Sequence, residues 1–285
     1  MTLQETGPKT AVVGAGAVGG YFGGLLARAG APVVMIGRPA FVGAVNKNGL
    51  FLDTLQFQES VRVEASTELS AVRGAEIVLF CVKTTDNATT ARALASLLAP
   101  GAVVLSMQNG VDNVEQLRAA AAIEALPAVV YVAASVPEPG RVKHVGRGDL
   151  VVGPENEKTK RITSLFARAQ VPCRITENIE GELWTKLVWN CALNAVSALG
   201  RAKYGQIASS ADAWKVVETK AAWSDLSMEQ LLEELQEIQQ FVLLYPRQGE
   251  KGTPRAAYVL SSQTLAQQAL AKALKLDELQ ITHRR

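Results

Sequence analysis

The sequence is poor in the two residue types that most often build metal sites and disulfides. Its 285 residues include three cysteines, Cys81, Cys173 and Cys191, which are widely spaced and form no CxxC pair. Each is therefore expected to be a small buried side chain in a reducing cytosol. His144 and His283 are the two histidines, and two are too few for a His-based zinc site. We predict no metal site.

The chain also lacks a strong charge of one sign and a long apolar run. Its formal net charge is +2 with no long basic segment, so it does not carry the electrostatic signature of a nucleic-acid partner. A membrane span needs about 18 uninterrupted apolar residues, and the sequence contains no such run. The first ten residues, MTLQETGPKT, also lack the apolar core of a signal peptide. These absences predict a cytoplasmic globular protein with neither a nucleic-acid nor a membrane partner, folded as one large or two medium domains.

Short apolar runs alternate with helical stretches through the first part of the chain. Strands are predicted at residues 10–13, 33–36, 77–82, 102–107, 128–133 and 150–152. Helices are predicted up to about residue 30 and at about 86–98, 112–122 and 157–169. Apolar strands separated by helices of this length imply right-handed crossovers and a mostly parallel sheet covered on both faces. Segments 51–57 and 61–65 alternate more regularly and predict an antiparallel pair near one edge.

A glycine-rich segment joins the first strand to the first helix. It reads Gly14-Ala15-Gly16-Ala17-Val18-Gly19 and is a GxGxxG motif. Gly14 permits a tight turn, Gly16 lets the backbone approach a pyrophosphate, and Gly19 allows close packing of the helix on the strand. Small residues can also serve packing alone, but here the required strand precedes the motif and a helix follows it. We predict a Rossmann-type domain that binds a dinucleotide with its phosphates at the N-terminus of this helix.

The end of the second strand distinguishes the two nicotinamide cofactors. An NAD-preferring site usually carries Asp or Glu there to hold the ribose hydroxyls. This chain has Ile36-Gly37-Arg38 with no acid. The guanidinium of Arg38 suits the 2′-phosphate of NADP, although it could also be a solvated surface arginine. We predict NADP (NADPH) as the cofactor.

Two further strand ends carry polar side chains. Lys83 follows the strand at 77–82, and Asn109 follows the strand at 102–107 in Gln108-Asn109-Gly110. Ligands of open α/β sheets bind beyond the carboxyl ends of the strands, so both residues are candidates for cofactor or substrate binding. The alternative for Asn-Gly is ordinary turn chemistry.

The strand pattern stops near residue 179, and only helical patterns follow. They lie at 181–199, 211–223, 227–241 and about 261–275. We therefore predict two domains, a doubly wound, NADP-binding α/β domain over residues 1–177 and a smaller all-helical domain over residues 178–285.

The first of these helices carries a polar stripe in apolar surroundings. In GELWTKLVWNCALN, the residues Glu182, Lys186, Asn190 and Asn194 recur every four positions, which places them along one side of a helix. Glu182 and Lys186 could simply form an i,i+4 pair, but two asparagines are poor helix formers. Buried without partners, each amide would cost about 1–3 kcal/mol, so the stripe is expected to face a wet cleft containing a polar substrate. The apolar residues beside the stripe would pack within the helical domain.

Taken together, these segments resemble the ketopantoate reductase (2-dehydropantoate 2-reductase) family. The resemblance rests on VVGAGAVGG, Gly37-Arg38, Val82-Lys83, Gln108-Asn109-Gly110, ELWTKLVWNCALN and SALGRAKYGQI, which occur in order over about residues 9–209. It implies a Rossmann domain that binds NADPH, a helical domain, and an active site in the cleft between them.

The resemblance also implies roles for individual residues. Lys186 would be the general acid that protonates the carbonyl oxygen of a small 2-oxo acid, and Asn190 and Asn194 would hold the substrate. Asn109 would contact both cofactor and substrate, whereas Arg38, Lys83 and the loop 14–19 would bind NADPH. Val136 would give the cofactor a backbone contact. Glu182 would be only the helical neighbour of the lysine.

Beyond about residue 210 the chain departs from the family pattern of a substrate-binding serine and an active-site glutamate. Ser261-Ser262-Gln263 is present, but the residue twelve positions after Ser262 is Leu274, and Glu278 is the nearby acid. Three hypotheses therefore stay open: NADPH-dependent reduction of ketopantoate to pantoate in pantothenate and coenzyme A biosynthesis, reduction of another small 2-oxo acid, or an NADP-binding paralogue with a decayed C-terminus that catalyses nothing. The chain is expected to be a monomer or a homodimer.

Overall fold

A computed structural model describes residues 7–221 of the chain as ten strands and eight α-helices. The strands are Thr10–Val13 (β1), Val33–Ile36 (β2), Leu50–Asp53 (β3), Gln58–Val61 (β4), Glu64–Ser66 (β5), Ile77–Phe80 (β6), Val103–Ser106 (β7), Ala125–Glu138 (β8), Arg141–Val152 (β9) and Cys173–Ile175 (β10). The helices are Ala17–Arg28 (α1), Pro39–Asn48 (α2), Asn87–Ala95 (α3), Asn113–Ala121 (α4), Glu157–Arg168 (α5), Ile179–Gly200 (α6), Tyr204–Ala208 (α7) and Ala211–Ala221 (α8).

Six strands form a parallel sheet of Rossmann type. Their spatial order is β5-β2-β1-β6-β7-β8, and every neighbouring pair in this row is parallel. If these six strands are renumbered from 1 to 6 in chain order, their spatial order is 3-2-1-4-5-6, which is that of doubly wound dinucleotide-binding folds. The fold class predicted from the sequence, a Rossmann-type sheet followed by helices, is confirmed.

Alternating side chains of the parallel strands divide between two core layers. In β1, Val12 points into a layer that holds Phe22 of α1 and Phe166 of α5, while Ala11 and Val13 point into a second layer under α3 and α4. Each of the strands β1, β2, β6 and β7 has four residues, and all of them are buried. Burial on both faces explains why these strands are continuous apolar runs.

A long antiparallel ribbon extends the sheet beyond β8. β8 pairs antiparallel with β9, which continues parallel to β3, and β4 closes the edge antiparallel to β3. The short strand β10 lies parallel to β9. The apolar segments 128–133 and 150–152, predicted as two separate strands, are therefore parts of this one ribbon.

The predicted antiparallel pair near one edge is present but differently divided. Its strands are β3 and β4, joined by a turn in which the Thr54 side chain both donates to and accepts from the backbone of Phe57, at 2.8 and 2.9 Å. The predicted second segment, 61–65, instead spans the end of β4 and the start of β5, which pairs with β2 at the opposite edge of the sheet. The prediction was wrong there because one short alternating stretch covers two strands.

The chain divides into two compact units between Glu182 and Leu183. In the second unit, the described residues form helices around a small core of Ala192, Ile207 and Val217. The domain boundary at 177/178 stays a prediction. The predicted helices at 227–241 and 261–275, together with Ser261, Ser262, Leu274 and Glu278, lie outside the described residues. Among the helices formed by residues 7–221, none has the length and apolar character needed to cross a membrane.

Candidate functional site

The glycine-rich loop turns tightly between β1 and α1. Gly14 has a φ of +94°, and a Cβ built there would lie 2.7 Å from the amide nitrogen of Val82. Gly14 and Ala15 both donate their N–H groups to the carbonyl of Ile36, at 3.0 and 2.9 Å. The loop is therefore held against the ends of β2 and β6, and only glycine fits at its first position.

The backbone above the start of α1 is open. Gly16, the N-cap of α1, is exposed, and a Cβ built there would meet nothing within 4 Å. The first turn, which contains Ala17 and Val18, has no acidic residue. An open backbone at the positive end of an uncompensated helix fits an anionic pyrophosphate.

Gly19 brings the helix close to the sheet. A Cβ at this position would lie 2.6 Å from the carbonyl oxygen of Gly14 and 2.7 Å from Cγ1 of Val12. The third glycine therefore lets α1 pack directly on β1 and the loop, as the motif predicted.

Three of the predicted site residues follow strands of the same parallel row. Arg38 comes after β2, Lys83 after β6 and Asn109 after β7, and all three are exposed. Because the row of strands runs β2-β1-β6-β7, their carboxyl ends and the glycine loop share one edge of the sheet. The structure thus brings these candidates together with the loop 14–19.

Buried amides support the strand ends that carry Lys83 and Asn109. Gln108 donates to the carbonyl oxygen of Val82 at 2.9 Å, and Asn113 donates to the carbonyl oxygen of Asn109 at 2.9 Å. The two amides are joined through the side chain of Asn87. Asn87 and Asn113 were not predicted from the sequence. The signal that could have indicated them is an asparagine at the first position of each following helix.

Val136 lies in the outer part of β8, with 37% of its surface exposed. The register between β8 and β9 shifts between Ser135 and Glu138. The backbone of Val136 therefore falls in an irregular part of the ladder, where a bulged strand can turn its groups toward a ligand.

In the second unit, α6 carries the predicted polar stripe. Lys186, Asn190 and Asn194 are half-buried, whereas Leu187 and Val188 are buried at 8% and 6% exposure. The helix therefore packs on an apolar side and keeps its polar stripe nearer the surface.

Two partners of this stripe were not foreseen. The hydroxyl of Tyr204 donates to Oδ1 of Asn194, and burial raises the pKa of Tyr204, so the phenol stays protonated. Glu182 pairs with Arg174 at 2.6 Å. The Tyr204 contact orients the amide of Asn194, with its Nδ2 as the remaining donor.

Trp189, predicted to pack within the helical domain, is 38% exposed. It stacks on Trp214 with 6.4 Å between ring centroids.

The cysteines are poor candidates for chemistry. Burial raises the pKa of Cys81 and of Cys173 to about 12 and that of Cys191 to about 11, so each stays a thiol near neutral pH. Within residues 7–221, no group of three or more His, Cys, Asp or Glu side chains could hold a metal ion.

The glycine loop, the strand order and the polar strand ends define a dinucleotide-binding fold of the Rossmann type. The model of the ketopantoate reductase PanE/ApbA family matches residues 10–157, and that of the family's C-terminal region matches residues 178–222. The chain belongs to the ketopantoate reductase PanE/ApbA family, as the resemblance predicted. The second match extends to residue 222, past the limit of about 209 that the sequence motifs gave.

Individual relatives agree with this assignment. The chain is similar to the 2-dehydropantoate 2-reductases of Pyrococcus abyssi and Pyrococcus horikoshii, each 33% identical over 67% and 70% of the chain. These matches span 64% and 66% of the relatives' own length. Among solved structures it resembles a PanE/ApbA family ketopantoate reductase from Ralstonia eutropha at 37% identity and a TM-score of 0.71, covering 96% of this chain and 100% of the other. A D-mandelate dehydrogenase solved with NADH shares the fold at 18% identity and a TM-score of 0.67.

Proposed function

We propose that the chain is an NADPH-dependent reductase that converts ketopantoate, a small 2-oxo acid, into pantoate. The observation that carries the proposal is the open glycine loop beside Arg38, Lys83 and Asn109, in a chain of the ketopantoate reductase family. The relatives named 2-dehydropantoate 2-reductase support the substrate. The proposal places the chain in pantothenate biosynthesis in the cytoplasm, as a monomer or homodimer.

The proposed cofactor site is the carboxyl edge of the parallel sheet. The N–H groups at the start of α1 would receive the pyrophosphate, and Gly16 leaves the space for it. Arg38, exposed at the end of β2 where an NAD site usually has an acid, would pair with the 2′-phosphate of NADPH. Lys83, Asn109 and the backbone of Val136 would complete the contacts to the cofactor.

The proposed chemistry divides between the cofactor and the protein. When bound, the nicotinamide supplies a hydride to the 2-oxo carbon of the substrate. Lys186 donates its proton to the carbonyl oxygen, which becomes the hydroxyl of the product. Asn190 and Asn194 hold the substrate oxygens, and Tyr204 fixes Asn194 with its Nδ2 available as a donor.

Two alternatives rest on specific features of the chain. Reduction of another small 2-oxo acid would use the same lysine and asparagines on a differently shaped substrate. A non-catalytic NADP-binding paralogue is favoured by the C-terminal departures from the family pattern, since Leu274 stands where the resemblance implies a glutamate.

One assay separates these possibilities. Purified protein is titrated with NADPH by fluorescence and then mixed with NADPH and each member of a panel of 2-oxo acids, and NADPH consumption is followed. We expect turnover to be fastest with ketopantoate. Faster turnover of another 2-oxo acid would reassign the substrate, and NADPH binding without turnover of any panel member would refute the reductase proposal.

A further inference from the structure

A chain of buried polar side chains joins the loops that follow β6 and β7. We call this chain the amide network. Its members are Ser106 (3% exposed), Gln108 (7%), Asn87 (1%) and Asn113 (4%). None of them carries a charge. Buried polar groups of this kind persist when their hydrogen bonds are satisfied, and they then hold a single geometry.

The amide network runs in one direction. The hydroxyl of Ser106 donates to Oε1 of Gln108 at 3.0 Å, and Nε2 of Gln108 donates to Oδ1 of Asn87 at 2.5 Å. Nδ2 of Asn87 donates to Oδ1 of Asn113 at 3.0 Å, and Nδ2 of Asn113 donates to the carbonyl oxygen of Asn109 at 2.9 Å. Every link uses a donor of one residue and an acceptor of the next, so the orientation of each amide is set by its neighbours.

Asn87 has both amide hydrogens engaged. One bonds to Asn113, and the other bonds to Oε1 of Gln116 at 2.9 Å. Since Asn87 also accepts from Gln108, it is the point where the two loops and α4 meet. Removing its side chain would separate the Gln108 half of the network from the Asn113 half.

The residues flanking Lys83 are held from both sides. Gln108 bonds to the carbonyl of Val82, and the hydroxyl of Thr84 bonds to Oδ1 of Asn113 at 3.2 Å. On the other loop, Asn113 holds the carbonyl of Asn109 itself. The network therefore binds the backbone of Val82 and the side chain of Thr84 on either side of Lys83, and the backbone of Asn109. Lys83 and Asn109 themselves are exposed.

The backbone ladder does not reach these two residues. The β6–β7 pairing runs to Phe80 and Ser106, and the N–H of Met107 bonds to the carbonyl of Phe80 just past that pair. Beyond this point the amide side chains continue the connection between the loops. The spacing between the two loops at Lys83 and Asn109 is therefore set by side chains as well as by the sheet.

We propose that Asn87 is a positioning residue that holds Lys83 and Asn109 at the spacing needed for cofactor and substrate. It acts through the amide network and has no contact with either ligand of its own. This inference rests on the proposed function, because Lys83 and Asn109 are placed at the cofactor site there. A functional site on two loops needs such support to keep its side chains in one geometry.

A double-mutant cycle on the full chain tests the inference. The dissociation constant of NADPH is measured for wild type, Asn87→Ala, Lys83→Ala and the double variant, alongside kcat and KM with ketopantoate. If Asn87 acts through Lys83, Asn87→Ala weakens NADPH binding about 10-fold in the wild-type background and less than about 2-fold in the Lys83→Ala background. We also expect kcat to fall more than the KM for ketopantoate rises.

Thr159→Ala is the matched control. Thr159 is fully buried in the same unit, and its hydroxyl bonds to the carbonyls of Pro154 and Asn156 near the start of α5. Its removal lowers thermal stability through a lost polar contact, and its effect on NADPH binding should not depend on Lys83. If Asn87→Ala does not fold, Thr84→Val, which removes a single hydroxyl from a half-buried site, is used in the same cycle with the same criterion.

Each result has a separate meaning. Effects of Asn87→Ala and Lys83→Ala that add within about 2-fold would overturn the positioning role, even if the wild type reduces ketopantoate. A non-additive cycle in a protein that reduces no 2-oxo acid would leave the positioning role standing and refute the proposed function. A chain that binds neither NADPH nor NADH would overturn both.

Discussion

At the scale of single residues, Lys186 carries the proposed proton transfer. It is half-buried on α6, one position before the buried Leu187. Positioned general acids contribute about 100- to 10,000-fold to a rate, so Lys186→Ala should lower kcat by that range and change NADPH affinity little. Lys186→Arg should also be slow, because a guanidinium does not release its proton in proteins.

Steady-state kinetics with ketopantoate measure this prediction. Lys215→Ala is the control, since Lys215 is an exposed lysine in the same unit with no proposed role. Full activity of Lys186→Ala would show that the proton has another donor.

Arg38 is expected to decide between NADPH and NADH. Hydrogen bonds to charged groups are worth about 1.5–3 kcal/mol, so Arg38→Ala should weaken NADPH binding about 10- to 100-fold and NADH binding less than about 3-fold. Fluorescence titration with both cofactors measures the effect, with Arg92→Ala, another exposed arginine, as control. An equal loss for the two cofactors would refute the phosphate contact.

Asp112, at the N-cap of α4, should make stability depend on pH. Burial raises the pKa of its carboxyl from 3.8 to about 6. Between these values the folded protein holds more protons than the unfolded chain, so the contribution of Asp112 to the free energy of unfolding falls as pH rises. Asp112→Asn should therefore stabilise the protein near neutral pH and have little effect near pH 4.

Asp53 provides the opposite case. Its hydrogen bond to Arg141 at 2.7 Å holds the pKa of this carboxyl below its usual value. The stability it contributes is present above the ordinary pKa and is lost as pH falls through the folded-state value. Asp53→Asn should thus destabilise at neutral pH, with the loss fading in acid. Denaturant unfolding from acid to neutral pH measures the free energy of unfolding of Asp112→Asn and Asp53→Asn. If both variants changed this free energy in the same direction at neutral pH, the opposite pKa shifts of the two carboxyls would be contradicted.

At the scale of elements, the contact of α1 with β1 depends on Gly19. A Cβ there would come within 2.6 Å of the Gly14 carbonyl oxygen, so Gly19→Ala should destabilise by about 1–3 kcal/mol and weaken NADPH binding. Gly43→Ala is the matched control, because Gly43 lies within α2 and its Cβ would meet nothing within 4 Å. That variant should stabilise by about 0.5–1 kcal/mol. Thermal or denaturant unfolding gives both values, and an unchanged Gly19→Ala would show that α1 can move away from the loop.

The burial of a strand decided whether it could be predicted from the sequence. β1 and β2 were predicted to the residue, and β6 and β7 within two residues, because strands buried on both faces are continuous apolar runs. The outer end of β8, residues 134–138, is exposed or half-buried and mixes polar residues and proline with apolar ones, so it was missed. The three-residue β10 is too short to produce a pattern.

The same limit applies to the candidate site. The glycine loop and the residues at the strand ends could be predicted because their chemistry depends on local order in the chain. Asn87 and Asn113 are 26 residues apart and meet only through the fold. Their bond, like that of Tyr204 to Asn194, could not be inferred from spacing alone.

At the scale of the whole molecule, the proposal combines a Rossmann-type unit with a helical unit that carries the lysine and two asparagines. The family assignment and the sheet order are established, whereas catalysis is the proposed step. A decayed paralogue would keep the glycine loop and bind NADPH without using Lys186. Cofactor binding therefore cannot distinguish it from an enzyme, and transfer of hydride to the substrate can.

The most direct measurement follows the transferred hydride. NADPH with deuterium in place of both hydrogens at the reactive nicotinamide carbon is mixed with ketopantoate and the protein, and the product is analysed by mass spectrometry and NMR. We expect the wild type to form pantoate that carries one deuterium on the carbon of the new hydroxyl, and Lys186→Ala to form almost none. Pantoate without deuterium, or no pantoate from a protein that binds NADPH, would contradict it.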